Sequence, residues 1–293
     1  MEDEPRSGRP SRSKTDENVT KVGAVMRFDR HLTEWSLVSW NLNCPTVHDI
    51  LTEGMGMWKI CAKLVPKNLT NEEKENRRSV RPGLERIEND ENLSNIIGDE
   101  SWIFEYDPET KRQSTEWHTS NSPRPKKAKM SKSKIKSMLI CFLYSQGVQK
   151  EFVPQGQTVN KQYYREVLEQ LRKRVHCVWP EIADTWMLHH DNAPCHTAIS
   201  VNEFLAKKGI SVVLQPPYSP DLSPCDFFLF PKLKFHLKGR HFATVDNIQK
   251  VVTDQLRALP YEDFQHCYRE WEQRLRLCVA SQGNYFERDN VDL

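Results

Sequence analysis

Apolar residues recur every three or four positions in three short runs near the start of the chain. Asp16 to Phe28 places Val19, Val22, Val25 and Met26 on one face. Thr33 to Trp40 opens behind a Thr cap, and Cys44 to Glu53 carries Val47, Ile50 and Leu51 between Pro45 and Gly54. This spacing predicts three amphipathic helices. Helix, helix, short turn, helix is the order of a helix-turn-helix unit, whose last helix would offer Thr46 and His48 to a DNA groove. A plain three-helix bundle fits the same pattern.

Beyond residue 57 the pattern changes. Residues 58–92 read as a helical linker, with Asn68 or Thr70 capping a charged helix in "VPKNLTNEEKENRR". From about Leu93 the runs shorten and fill with β-branched and aromatic residues. "NIIGDESWIFEY" predicts a strand containing Asp99, and "IKSMLICFLYSQGVQKEFV" predicts a hairpin around Ser145-Gln146-Gly147. Asn160 to Val175 is an amphipathic helix, "DTWMLHHDNA" a strand ending at Asp191, and His196 to Lys208 a helix stopped by Gly209. A strand in "ISVVLQPP", a helix opening at Pro224, and helices over Val245 to Leu259 and Tyr261 to Val279 follow. Hairpin, helix, strand, helix, strand, helix predicts an α/β fold with a mixed sheet flanked by helices, at 93–293.

Two carboxylates interrupt this apolar pattern, Asp99 and Asp191. Burying carboxylates without partners is costly, so two in strands of one sheet ask for a cation. Asp226 can join them from "QPPYSPDLSPCDFFLF", where four prolines stiffen the approach. Ser223 as N-cap, Pro224 and Asp226 also read as an ordinary helix start with a dipole-complementing acid. Three hard oxygen donors suit Mg²⁺ or Mn²⁺. Two such ions about 4 Å apart would activate a nucleophile and stabilise a leaving oxygen at a phosphodiester. Zinc competes through His189, His190, Cys195 and His196, but adjacent histidines on a strand point to opposite faces.

Composition refines the substrate class. The 293 residues carry a net charge of only +2, yet Lys111 to Lys136 holds nine basic residues against the single acid Glu116. That excursion, 108–136, includes Arg124, Lys126, Lys127 and Lys129 and suits a polyanion. Residues 1–15 read as a disordered basic arm. "MEDEPRSGRPSRSK" lacks the apolar core of a signal peptide, and no apolar run reaches membrane-spanning length. The eight cysteines show no CxxC pairs and read as reduced core filler. No membrane and no small-molecule substrate are expected.

The motifs carry a resemblance. "GDESWIFEYDPETKRQS", "MLHHDNAPCHTA" and "PPYSPDLSPCDFFLFPKLK" resemble the three catalytic segments of mariner-family transposases, and thirty-four residues separate Asp191 from Asp226 as in those enzymes. "KICAKLVPKNLT" resembles the family's linker and "GNYF" the end of its catalytic domain. The resemblance implies an RNase H-like core with Asp99, Asp191 and Asp226 as catalytic metal ligands for two Mg²⁺ or Mn²⁺ ions. It implies hydrolysis at transposon inverted-repeat ends, then attack of a 3′ hydroxyl on a TA target. It further implies a homodimer in which the excursion acts as a clamp, and action in the nucleus, with "SPRPKKAKMSK" similar to a localisation signal. "SGRPS" resembles a minor-groove arm with Arg9 as the inserted residue.

The chain departs from the family pattern in two places. The expectation is that it carries one helix-turn-helix unit where family members carry two, so that a DNA-binding remnant without transposition, or a decayed copy, stands beside the active enzyme. Within "NIIGDE", the stretch "IIGDE" is also one residue shorter than the family's "IITGDE". A one-residue slip reverses every face of a strand. Either the strand ahead of Asp99 re-registers, or Asp99 leaves the site.

Overall fold

Every residue from Leu139 to Tyr144 is buried, odd and even positions alike. A strand apolar on both faces needs a layer on each side, and the architecture supplies one. The computed structural model describes residues 14–37, 42–81, 83–85, 95–119 and 121–287. Contacts divide the chain into two units, residues 1–64 and 65–293.

The first unit holds α1 (Asp16–Phe28), α2 (Glu34–Leu37) and α3 (Cys44–Asp49), the last running into a π-helical turn, Ile50–Gly54. Thr15 caps α1 and Asn43 caps α3, each side chain accepting from a backbone N–H three residues on. Val22, Met26, Leu42, Val47 and Ile50 form its small core. Of the expected arm, 1–15, residues 1–13 lie outside the described residues, as does the end of the second expected helix, 38–40. Thr15 caps α1 and Lys14 pairs with Asp49 and Glu53, so the arm's last two residues are ordered.

The helical reading of 58–92 is corrected over its first half. Residues 56–70 contain no helix. Pro66 removes a backbone donor and biases Val65 toward extended geometry, so a helix cannot pass this point. Helix α4 (Asn71–Arg78) starts at Thr70 with a full capping box to Glu73. Residues 82 and 86–94 lie outside the described residues.

The second unit is built on a five-stranded sheet in the order β3-β2-β1-β4-β5. These are β1 (Asn95–Phe104), β2 (Lys136–Tyr144), β3 (Gly147–Val153), β4 (Met187–His190) and β5 (Ser211–Leu214). β1 pairs antiparallel with β2 and parallel with β4, giving the mixed sheet of an RNase H-like core. One face packs Ile96, Ile140 and Phe142 against α5 (Lys161–Val178) and α6 (Ile199–Lys207). The other packs Ile97, Leu139, Cys141 and Leu143 against α7 (Phe230–Leu237), α8 (Val245–Arg257) and α9 (Tyr261–Ala280).

Two boundaries differ from expectation. α6 begins at Ile199 rather than His196, because residues 194–197 form turns that hold His196 inside the protein. The segment after Pro224 is a π-helical turn, Cys225–Leu229, before α7 takes over. Ser223 is extended there, and its carbonyl accepts from the N–H groups of Asp226 and Phe227.

One buried ion pair locks this proline-rich corner. Arg77 of α4 donates to both oxygens of Asp221, to Ser219 Oγ at 2.7 Å and to the Gly283 carbonyl at 2.9 Å. Its guanidinium also stacks 4.6 Å from the Tyr285 ring centre.

Candidate active site

Asp99, Glu100, Asp191 and Asp226 line one cavity of about 500 Å³, walled by Gln215 to Pro220. Each acid arrives by a different element. Asp99 sits mid-strand in β1 on the same face as Ile97 and opposite Cys141. Asp191 follows the last residue of β4, and Asp226 stands in the π-helical turn.

The short "NIIGDE" is resolved by packing. Ile97 is wholly buried against the α7 to α9 layer, which fixes the face of Asp99 two residues on. Gly98 faces the other layer directly across from Phe142, whose ring fills the space a side chain would take. Asp99 therefore keeps its place in the cleft.

Electrostatics distinguishes the three acids. Burial, then the negative charge of Asp226, holds the Asp99 carboxyl well above the usual carboxylate range. Burial also raises Asp226, which lies within hydrogen-bonding reach of Asp99 and of the Ser223 hydroxyl. Asp191 behaves oppositely: burial would raise it, but the His196 hydrogen bond and the Ala193 N–H bring it below the usual value. Both contacts fall on Oδ1, at 2.6 Å and 3.0 Å, and 43% of the side chain stays exposed.

His196 was not singled out as a partner of the acids in the sequence, and neither was Glu100. The buried imidazole bridges Asp191 Oδ1 and, through its other nitrogen at 3.0 Å, Glu100 Oε1. Burial would lower its pKa, but the two carboxylates outweigh this and push it up to about 10. Tyr164 stacks on the ring with centroids 4.0 Å apart and bonds His190 Nδ1 at 2.9 Å. The zinc grouping is separated by the strand: His190 faces Tyr164, while His189 lies beside Trp271 and contacts the Val213 carbonyl.

Among the described residues, no three His, Cys, Asp or Glu side chains are gathered tightly enough to hold an ion as they stand. The donor set nonetheless fits a hard divalent cation. Two carboxyl groups lie close together beside a third, in a buried setting that disfavours their ionised forms and that a bound cation would relieve. All donors are oxygen, the chemistry of Mg²⁺ or Mn²⁺.

The DNA-contact candidates fare unequally. Thr46 is 7% exposed. This removes it from a groove-facing set, because its position at the start of α3 turns it into the core of the first unit. His48 is exposed but hydrogen-bonded to Glu34 at 2.8 Å. Arg124, Lys126 and Lys129 are exposed, and Lys127 pairs with Glu109. Arg9 lies outside the described residues.

The family described as DDE superfamily endonuclease matches residues 102–249, half of the chain. The match includes Asp191 and Asp226 and begins just after Asp99. The Mos1 mariner transposase of Drosophila mauritiana is 29% identical over 239 residues, covering 80% of this chain and 68% of that protein. The human histone-lysine N-methyltransferase SETMAR is 27% identical across 98% of this chain, which spans 42% of SETMAR's length. The Mos1 paired-end complex with Mn superposes with a TM-score of 0.80 at 27% identity, covering 97% of this chain and 83% of that one. The isolated Mos1 catalytic domain gives 0.63 over 76% of this chain and all of its own. The helix-flanked mixed sheet, the cleft at its edge and these matches agree: the chain belongs to the DDE superfamily of endonucleases, within the mariner-family transposases and the proteins derived from them.

Proposed function

We propose that this chain cuts and joins DNA strands, with Asp99, Asp191 and Asp226 holding two Mg²⁺ or Mn²⁺ ions. The observation that carries this reading is the convergence of the three acids on one cleft from positions 99, 191 and 226. When bound, the ions would activate a water or hydroxyl for attack on a phosphodiester and stabilise the departing oxygen.

The protein's own groups have separate tasks. Asp191 is fixed by His196 and by the Ala193 N–H, so its free oxygen is presented without rotation. A divalent cation between Asp99 and Asp226 would offset the cost that burial and their proximity place on the ionised forms. The braced corner from Gln215 to Asp221 forms one wall of the cleft and limits where a strand can lie.

The DNA partner in this reading is a transposon inverted-repeat end, with a TA step as target. The solved Mos1 paired-end complex with left transposon end and the Mos1 strand transfer complex support the DNA partner. A homodimer clamped by 108–136 and residence in the nucleus belong to the same reading, supported by the exposed Arg124, Lys126 and Lys129.

The test is nicking of plasmid DNA by the purified chain in Mn²⁺. Wild type cuts, Asp191→Ala loses at least a hundredfold, and both melt alike. Equal cutting by the two would end the proposal and leave a DNA-binding remnant.

A further inference from the structure

A second cavity, of about 670 Å³, opens on the far side of Asp226. Asp226 lines both spaces, so the two adjoin at that residue. The second cavity is walled by Ser101 of β1, by Phe230, Lys234 and Phe235 of α7, and by Arg112 and Lys238. The strand-cutting roles above give none of these side chains a task, Arg112 entering only as part of the 108–136 excursion.

Lys234 is the unusual member. Its half-buried ammonium reaches from α7 to β1 and donates to Ser101 Oγ at 2.6 Å. Ser101 lies two residues past Asp99 on the same face of β1, a backbone spacing of about 7 Å along the strand, and the ammonium sits against its hydroxyl. Lys234 forms no ion pair among the described residues, nor do Arg112 and Lys238. Burial and the charges of Lys132 and Lys238 disfavour its charged form, with Asp107 and Asp226 opposing.

A structural strap would account for the bond to Ser101 but not for the cations around it. A neutral donor would fasten α7 to β1 at lower cost than a half-buried ammonium with no ion-pair partner among the described residues. Like charges gathered in a cleft that leads from three acids call for a ligand of opposite sign with repeated charge. A nucleic-acid backbone has that chemistry, and a strand seated at the acids would carry its next phosphates on toward the lysine.

We propose that this cleft holds the backbone phosphate next to the one at the aspartates, with Lys234 as its main contact and Arg112 and Lys238 continuing the track. This rests on the strand-cutting reading for its orientation, but its test does not require cutting. Ser101 presets the Lys234 rotamer, so little side-chain freedom is lost on binding.

The experiment measures binding of the full chain to a 30-base-pair duplex in EDTA, across a salt series. Each lost phosphate contact lowers the log–log salt slope by about 0.9. Lys234→Gln lowers it by about that amount, and Lys234→Gln with Arg112→Gln by about twice as much. Lys234→Arg restores the slope, and Lys173→Gln, on the exposed side of α5, leaves it unchanged. A slope unchanged in a folded Lys234→Gln chain overturns the proposal. A slope that falls in a chain that cuts nothing in Mn²⁺ supports the phosphate track and defeats only the strand-cutting reading.

Discussion

Arg77 and Asp221, 144 positions apart, meet as a bidentate pair with Nη1 to Oδ1 at 2.8 Å and Nη2 to Oδ2 at 2.6 Å. The guanidinium side chain is fully buried and the carboxylate 5% exposed. Breaking such a pair from one side strands a buried charge, at a cost of about 3–5 kcal/mol. Arg77→Met is therefore expected to lower unfolding free energy in urea by that amount. Arg77→Met with Asp221→Leu recovers much of it, because no charge remains to be buried. A single variant within about 1 kcal/mol of wild type would show that the pair is not a brace.

Gly98 gives a second expectation. A Cβ there would stand 2.7 Å from the Phe142 ring, closer than real contacts allow. Gly98→Val should cost about 1–3 kcal/mol through overpacking. Phe142→Leu in the Gly98→Val background relieves the clash and raises the melting temperature of the double variant above that of the single. A Gly98→Val chain as stable as wild type would mean that the ring has room to move aside.

A third expectation concerns pH in the first unit. The hydrogen bond between His48 and Glu34 raises the His48 pKa above 6.5 and lowers the Glu34 pKa below 4.5. A raised histidine stabilises fully below its unfolded pKa and loses the contribution as pH climbs through the folded one. A depressed glutamate stabilises above its unfolded pKa and loses the contribution as pH falls. The pair thus acts fully between about pH 4.5 and 6.5 and fades above and below. Proton NMR of the His48 ring should show its midpoint fall in Glu34→Gln; an unmoved midpoint would dismiss the pair.

Thiol chemistry supplies a fourth. Cys61 and Cys177 are exposed, Cys44 and Cys195 partly covered, and Cys141, Cys225, Cys267 and Cys278 buried. Burial pushes the Cys278 thiol up to about 11, and it raises Cys141, Cys225 and Cys267 as well. Dithionitrobenzoate should label Cys61 and Cys177 within minutes and the four buried thiols only on unfolding. Rapid labelling of Cys225 would contradict the packing around Asp226.

Much of the fold was legible because its signals are local. The hairpin from Lys136 to Val153 and helices α1, α5 and α9 declare themselves by the period of their apolar residues. The acids showed themselves as charge in apolar strands. What stayed hidden depends on distance along the chain. Glu100 and His196 lie 96 positions apart, and no spacing rule links them. Thr46 looked available because a helix start is usually exposed, yet the small first unit has few residues to form a core and uses this one. The linker differs for another reason: the cap at Thr70 marks where the helix starts, and ahead of it Trp58, Ile60 and Leu64 are exposed and have no core to pack on.

The reach of Arg77 also changes where the catalytic unit has to be cut out for study. Its side chain gathers α4, the corner at Ser219 and Asp221, and the tail at Gly283 around one guanidinium. A fragment begun at the first strand would look whole on paper and arrive with its wall unpinned. The smallest piece worth expressing spans both flanks of the sheet, from before Thr70 through the aromatic pair at Tyr285 and Phe286.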